Sequence, residues 1–294
     1  MTIGWIGTGI MGAPMAGHLQ AAGHSLYICN RTRSKAAELE AAGATWCDSP
    51  ATVAKSAEVV FTIVGYPADV EATYFGPSGI MQADGPCHTV VDMTTSLPSL
   101  AIRIHAEFAA RGIASLDAPV SGGDVGARAG SLAIMAGGDH PAFDAIDPLF
   151  QLMGKTICYM GPAGSGQNTK MCNQILVAGT MIGVCESLLY AYRQGMDPEA
   201  VIGVIGSGAA RSFLINNLGP RIAQDNFEPG FIVDHFVKDM GIALQEARAA
   251  QLALPGLSLV HQLYVALQAQ GGGQLGTQGL MLALRQLNGE TARP

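Results

Sequence analysis

Charge is what this sequence has least of. Only 13% of its 294 residues are charged, against about 25% in ordinary soluble domains. Apolar residues make up 49%, which excludes a disordered chain. Basic residues number 16 against 23 acidic, a net charge of −7. No basic surplus exists to neutralise phosphates, which argues against nucleic acid and anionic membrane surfaces as partners. None of the six cysteines forms a CxxC pair, and none of the seven histidines stands at HExxH spacing. No metal site is expected, and the cysteines read as reduced, buried small hydrophobes. No basic stretch precedes an apolar one at the start, so no secretory signal is read there. The longest uncharged apolar run, Ile175 to Cys185, has 11 residues, short of the roughly 20 that span a bilayer. The cytoplasm is the expected location.

Glycine is plentiful at 38 residues without a Gly-X-Y period, so it should serve tight turns and close backbone contacts. Up to residue 160, β-rich runs at 2–6, 25–29, 59–64, 88–92, 113–117, 131–135 and 156–160 alternate with helical patterns at 11–22, 34–42, 50–56, 67–74 and 97–111. Several runs are continuously apolar, as in strands buried on both faces. The alternation predicts an α/β doubly wound, mostly parallel sheet. After the Gly-rich GPAGSG joint the pattern turns helical, at about 167–193, 197–206, 212–224, 234–252, 255–270 and 277–288. The expected domains are 1–162 and an all-α 163–294, joined by a long helix. That helix is nearly apolar all round and is expected to be buried on most sides, running through an interface between domains or subunits. Residues 289–294 read as a frayed tail.

Four segments carry candidate chemistry. Gly7-Thr8-Gly9-Ile10-Met11-Gly12 follows the first strand run and opens a helix. GxGxxG alone is often only a turn, but in this context it marks a dinucleotide site, with glycines that let backbone approach a pyrophosphate at a helix N-terminus. Asn30-Arg31-Thr32 follows the second run, where NAD-specific folds place an acidic residue on the ribose 2′-hydroxyl. A neutral Asn30 followed by Arg31 favours NADP, since a guanidinium can grip a 2′-phosphate; NAD stays open, and a solvated arginine is the bland alternative. Asp117-Ala-Pro-Val-Ser121-Gly122-Gly123 lies at the carboxyl edge of the sheet. Its hydroxyl and glycine-bared N–H groups suit a substrate carboxylate, though an ordinary turn has the same composition. In Gly164-Ser-Gly-Gln-Asn-Thr-Lys170-Met-Cys-Asn173, Lys170 and Asn173 share a helix face. A lysine in an apolar helix is costly unless solvated or used. By contrast, Lys238-Asp239 reads as a solvated helix start.

Together and in this order, IGWIGTGIMGAPMAGHL, VVDMTTS, DAPVSGG, GSGQNTKMCNQ and VKDMGIAL resemble the β-hydroxyacid dehydrogenase family over residues 2–288. The resemblance implies a Rossmann-type domain, then an all-α domain, in a homodimer or homotetramer. It also implies hydride transfer between a nicotinamide cofactor and a small carboxylated substrate, namely glyoxylate or succinic, tartronate or methylmalonate semialdehyde. Lys170 resembles the family's catalytic lysine and Asn173 its substrate-holding partner. Ser121, Gly122 and Gly123 resemble its carboxylate site. Val64, Thr95 and Lys238 resemble cofactor contacts, and Phe231 a substrate contact. Asn-Arg-Thr after the second strand agrees with NADP. The chain departs from the family pattern at Val64-Gly65-Tyr66-Pro67 and Leu275-Gly276-Thr277-Gln278. Residues 212–220 are similar to glyoxylate/succinic semialdehyde reductases and 227–231 to tartronate semialdehyde reductases, so the substrate stays open. Two alternatives are an imine reductase, which usually replaces the lysine, and a non-catalytic NADP-bound module, which would be expected to lose it.

Overall fold

The computed structural model describes residues 1–290, in two compact units, Met1–Lys170 and Met171–Pro294. The first unit runs β1 (Thr2–Ile6), α1 (Gly12–Ala21), β2 (Ser25–Cys29), α2 (Ala37–Ala41), β3 (Thr45–Trp46), α3 (Pro50–Ser56), β4 (Val59–Thr62), α4 (Pro67–Phe75), β5 (Thr89–Asp92), α5 (Pro98–Ala109), β6 (Ala114–Asp117), β7 (Val120–Ser121), α6 (Gly123–Arg128), β8 (Leu132–Gly138), α7 (His140–Met153) and β9 (Gly154–Gly161). It ends in the first turns of α8 (Ser165–Arg193).

The sheet order is β3-β2-β1-β4-β5-β6-β8-β7, with β9 also paired to β8. Strands β3 to β6 along this path are parallel, whereas β8 runs antiparallel to β6 and β7. This is the Rossmann-type sheet that the strand–helix alternation implies. From β1 the chain crosses to β2 on one side and later to β4 on the other, which is the switch point where such sheets bind ligands. Alternate residues feed opposite faces. Trp5 stacks on Phe61 with centroids 5.5 Å apart, and Phe150 meets Phe61 edge-on at 6.3 Å. The other face buries Val60, Val90 and Ile104 with Tyr74 and Phe108.

The second unit is helical: the remainder of α8, then α9 (Pro198–Ile205), α10 (Phe213–Asn217), α11 (Gly219–Ala223), α12 (Val233–Ala249), α13 (Pro255–Ala269) and α14 (Leu280–Leu287). Phe236 of α12 meets Tyr264 of α13 edge-on at 5.1 Å, and the Tyr264 hydroxyl donates to the Thr277 carbonyl at 2.7 Å.

Several expectations need correction. The pattern at 212–224 is two helices, because Pro220 enters at the start of a new one and cannot continue the old. The pairing strands β3 and β7 are two residues each, too short to leave a periodic signal. Helix α7 was hidden by Pro141 and Pro148, although Ile146, Leu149, Phe150 and Met153 are buried at helical spacing. The first turn and a half of α8 belongs to the first compact unit, because the start of α8 is bound to the sheet edge. Within the single chain one face of α8 is left uncovered, with Cys172, Leu176, Gly179, Gly183, Glu186 and Tyr190 recurring along it. By length and composition alone α8 could cross a membrane, which the search for an unbroken apolar run missed. Its buried Gln167, Lys170 and Gln174 nonetheless bond to protein groups, as in a core helix. Cys158 and Cys172 are exposed, and all six cysteines are free. Of the expected tail, Glu290 is held by Arg193 at 2.6 Å, and 291–294 lie outside the described residues.

Candidate active site

The glycine loop occupies the turn from β1 to α1. Gly7 takes φ +101°, and a Cβ there would run into the Ile63 carbonyl oxygen. A Cβ on Gly12 would strike the Gly7 carbonyl oxygen, whereas one on Gly9 would enter open space. Gly7 and Gly12 therefore close the turn, and Gly9 leaves room above it. Thr8 donates its N–H to Asn30 Oδ1 at 3.2 Å, while its buried Oγ1 has no protein partner. An open cradle beside an orphaned hydroxyl, at the N-terminus of α1, fits a nicotinamide dinucleotide's pyrophosphate. Ile10 and Met11 form the rest of the loop, Ile10 well exposed.

Asn30 spends its amide on the loop itself, accepting from Thr8 and donating to the Thr32 carbonyl at 2.9 Å. It shapes the turn in which Thr32 lies exposed. Arg31 is 89% exposed, its guanidinium 3.8 Å from Asp69. It stands beside the β2 exit, able to reach a ligand there.

Val64 lies just past β4, and its N–H donates to Thr94 Oγ1 at 2.9 Å. Thr94 opens the turn carrying Thr95 after β5, and its N–H donates to Asp92 Oδ1 at 3.0 Å. Asp92 and Asp117 end neighbouring parallel strands in register. Burial pushes each carboxyl up to about 6, against the hydrogen bonds that favour the charged form. Asp117 accepts from the N–H groups of Gly164 and Gln167, both at 2.8 Å. It thereby anchors the start of α8 to β6. Gly166 lacks a side chain because a Cβ would strike the Met135 and Asp117 carbonyl oxygens.

Ser121 belongs to β7, and Gly122 and Gly123 turn it into α6 with φ +137° and +64°. The segment expected as a loop is thus a strand–helix turn. Lys170, only 7% exposed, places Nζ 2.8 Å from the Val120 carbonyl oxygen. The lysine tip is fixed at the residue next to Ser121, which a lysine reaching for solvent would not be.

In the second unit, Asn173 donates to Gln174 Oε1 at 2.7 Å, and Gln174 donates to Asp239 Oδ2 at 2.6 Å. Lys238 Nζ lies 3.0 Å from Asp239 Oδ1. Asp239 is 1% exposed, so Lys238-Asp239 is a buried ion pair rather than a solvated helix start. The pair is adjacent in sequence, which hid its partner on α8. Phe231 packs on Phe236 at 5.7 Å, at the edge of the helical core. Sequence reasoning missed Asp92, Thr94, Ser96, Asp117 and Gln167 as site residues. All but Gln167 lie at the ends of β5 and β6, a position that could have flagged them.

Residues 2–161 match the NAD binding domain of 6-phosphogluconate dehydrogenase, and 164–284 match the NAD-binding domain of NADP-dependent 3-hydroxyisobutyrate dehydrogenase. The chain is 51% identical to the probable 3-hydroxyisobutyrate dehydrogenase-like 1, mitochondrial, of Arabidopsis thaliana, over 97% of this chain and 86% of that protein. It is 39% identical to 2-hydroxy-3-oxopropionate reductase of Escherichia coli, over 97% of each. Among solved structures it resembles Mycobacterium tuberculosis 3-hydroxyisobutyrate dehydrogenase with L-serine, at TM-score 0.87 and 29% identity, covering 97% of this chain and 99% of that one. With profiles matching both halves and likeness along nearly the whole length, the chain belongs to the β-hydroxyacid dehydrogenase family and is an NAD(P)-dependent hydroxyacid oxidoreductase.

Proposed function

We propose that the protein interconverts a small carboxylated aldehyde (glyoxylate, or succinic, tartronate or methylmalonate semialdehyde) and its hydroxyacid, preferring NADP(H). The observation that carries this reading is Lys170, buried, with Nζ 2.8 Å from the Val120 carbonyl beside Ser121. The nicotinamide cofactor, when bound, supplies or accepts the hydride. Gly7 to Gly12 hold its pyrophosphate, and Val64 and Thr95 line its nicotinamide side. Lys170 Nζ gives a proton to the developing alkoxide oxygen in reduction and takes it back in oxidation. Ser121, Gly122 and Gly123 hold the substrate carboxylate and so orient the carbonyl, and Asn173 is a substrate contact. Lys238 serves as a cofactor contact and Phe231 as a substrate contact.

NADP preference is supported by the neutral Asn30 and exposed Arg31 at the β2 exit, where a carboxylate would repel a 2′-phosphate. We also place the protein in the cytoplasm as a homodimer or homotetramer, with neither nucleic acid nor membrane as a partner. Six free cysteines, two of them exposed, suit a reducing compartment. Leu176 and Tyr190, 72% and 66% exposed on α8, suit self-association. The test is NADPH and NADH oxidation with the four aldehydes, and with butyraldehyde as an uncharged control. Turnover of at least one acid with NADPH, and little with butyraldehyde, is expected. No turnover of any acid with either cofactor overturns the reading.

A further inference from the structure

Gln167 lies in the first turn of α8 with 0% of its surface exposed, and it spends both ends of its amide on one loop. Its Oε1 accepts the Ser96 N–H at 2.9 Å, and its Nε2 donates to the Thr94 carbonyl at 2.7 Å. Its own backbone N–H donates to Asp117. Thr94 in turn accepts the Val64 N–H through its hydroxyl. One side chain therefore joins the loop that carries Thr95 to the helical turn that leads into Lys170. We propose that Gln167 is a positioning residue for the reaction, fixing the 94–96 loop against Lys170 so that hydride and proton are delivered to one carbonyl in one geometry. The proposal rests on the reading of Lys170 as general acid and base.

The residue type follows from the bonds. A buried backbone N–H and C=O must both be met, and one side chain meets both only if it carries a donor and an acceptor at this reach. Asn is one methylene short. Met fills the same volume with neither bond. Glu sets a carboxylate oxygen against the Thr94 carbonyl oxygen, and the two acceptors repel unless the acid is protonated. Of the charged groups on these elements, Asp117 of β6 accepts the Gln167 N–H, Asp92 of β5 accepts the Thr94 N–H, and Lys170 follows three residues on along α8.

The test compares the full-length Gln167→Met and Gln167→Glu variants with wild type. The Ser96 amide should exchange roughly tenfold faster or more in Gln167→Met once its acceptor is gone. The Met93 amide, bonded to the Thr62 carbonyl at 2.8 Å, should keep its protection. In the same variant kcat should fall about 10²-fold, the scale of an ångström-sized misplacement, and by more than NADPH affinity falls. For Gln167→Glu, the ratio of its kcat to that of wild type should rise as pH falls, because the protonated acid restores the missing donor. Gln167→Met adds no titrating group there, so its kcat ratio to wild type should stay flat over the same pH range. Unaltered Ser96 exchange overturns the proposal, and so does a Gln167→Met kcat within about twofold of wild type. If wild type reduces none of the aldehydes, the proposed function fails, while Ser96 exchange still decides whether Gln167 sets the loop.

Discussion

The two units hold their candidate residues by different means. In the first, backbone groups hold the site: Thr8 N–H on Asn30, the 94–96 loop on Gln167, Lys170 on the Val120 carbonyl. In the second, side chains hold side chains, from Asn173 through Gln174 to Asp239 and Lys238. Strand ends present main chain at an edge, and glycine or small polar residues suffice to organise it. Helices consume their own main chain, so a helical unit must build polar structure from long side chains meeting across elements. The cofactor half is therefore written in short contiguous motifs, the other half in residues far apart in sequence.

The sharpest way to test the contrast is to remove the charged side chain that the first unit aims at its own edge. Lys170→Met is expected to lower kcat by about 10²–10⁴-fold, the usual worth of a general acid. NADPH affinity, measured by fluorescence titration, should stay unchanged because the glycine loop does not depend on that lysine.

Within the glycine loop, closing and open positions should separate. Gly12→Ala pushes a methyl into the Gly7 carbonyl and should cost about 1–3 kcal/mol of stability, as overpacking does. Gly9→Ala meets no protein atom within 4 Å. It should melt like wild type but bind NADPH more weakly. Thermal melts paired with binding isotherms distinguish the two.

Asp92 tests whether the buried strand ends carry strain. Its folded value of about 6 exceeds the ordinary 3.8, so its contribution to stability is full below about 3.8 and is lost as pH rises through 6. The hydrogen bonds it accepts from the Thr62 hydroxyl and the Thr94 N–H fall on Oδ1, which Asn preserves. Wild type should therefore lose about 1–1.5 kcal/mol relative to Asp92→Asn between pH 5 and pH 8. Urea unfolding followed by tryptophan fluorescence reads this directly, since Trp5 and Trp46 are the chain's two tryptophans and both lie in the first unit.

The smallest expected effect is at Arg31. Because it is so exposed, Arg31→Ala should weaken NADPH about tenfold, the low end for charge-assisted bonds, and less at high salt. NADH should bind as before. Equal losses for both cofactors would place the discrimination elsewhere.

The sheet was legible because short β-branched runs such as VVFT and TVVD, alternating with helical patterns, favour strands buried on both faces. The helix face shared by Lys170 and Asn173 and the glycine turn after β1 could be read as spacings, since each depends on neighbours a few residues away. Asp117 was visible in its motif, yet its partners Gly164 and Gln167 were not, because the bond spans about fifty residues. Asp239 was misread for the same reason: its neighbour Lys238 looked like a surface partner, and Gln174, 65 positions away, could not be seen. Local sequence thus determined the fold class and the strand–glycine turn–helix unit that opens it, both properties of spacing and side-chain character. Only the tertiary structure decided which polar groups are buried and what each is bonded to. Burial and pairing depend on elements that meet in space, and a chain's linear pattern carries no record of which distant donor will face which acceptor.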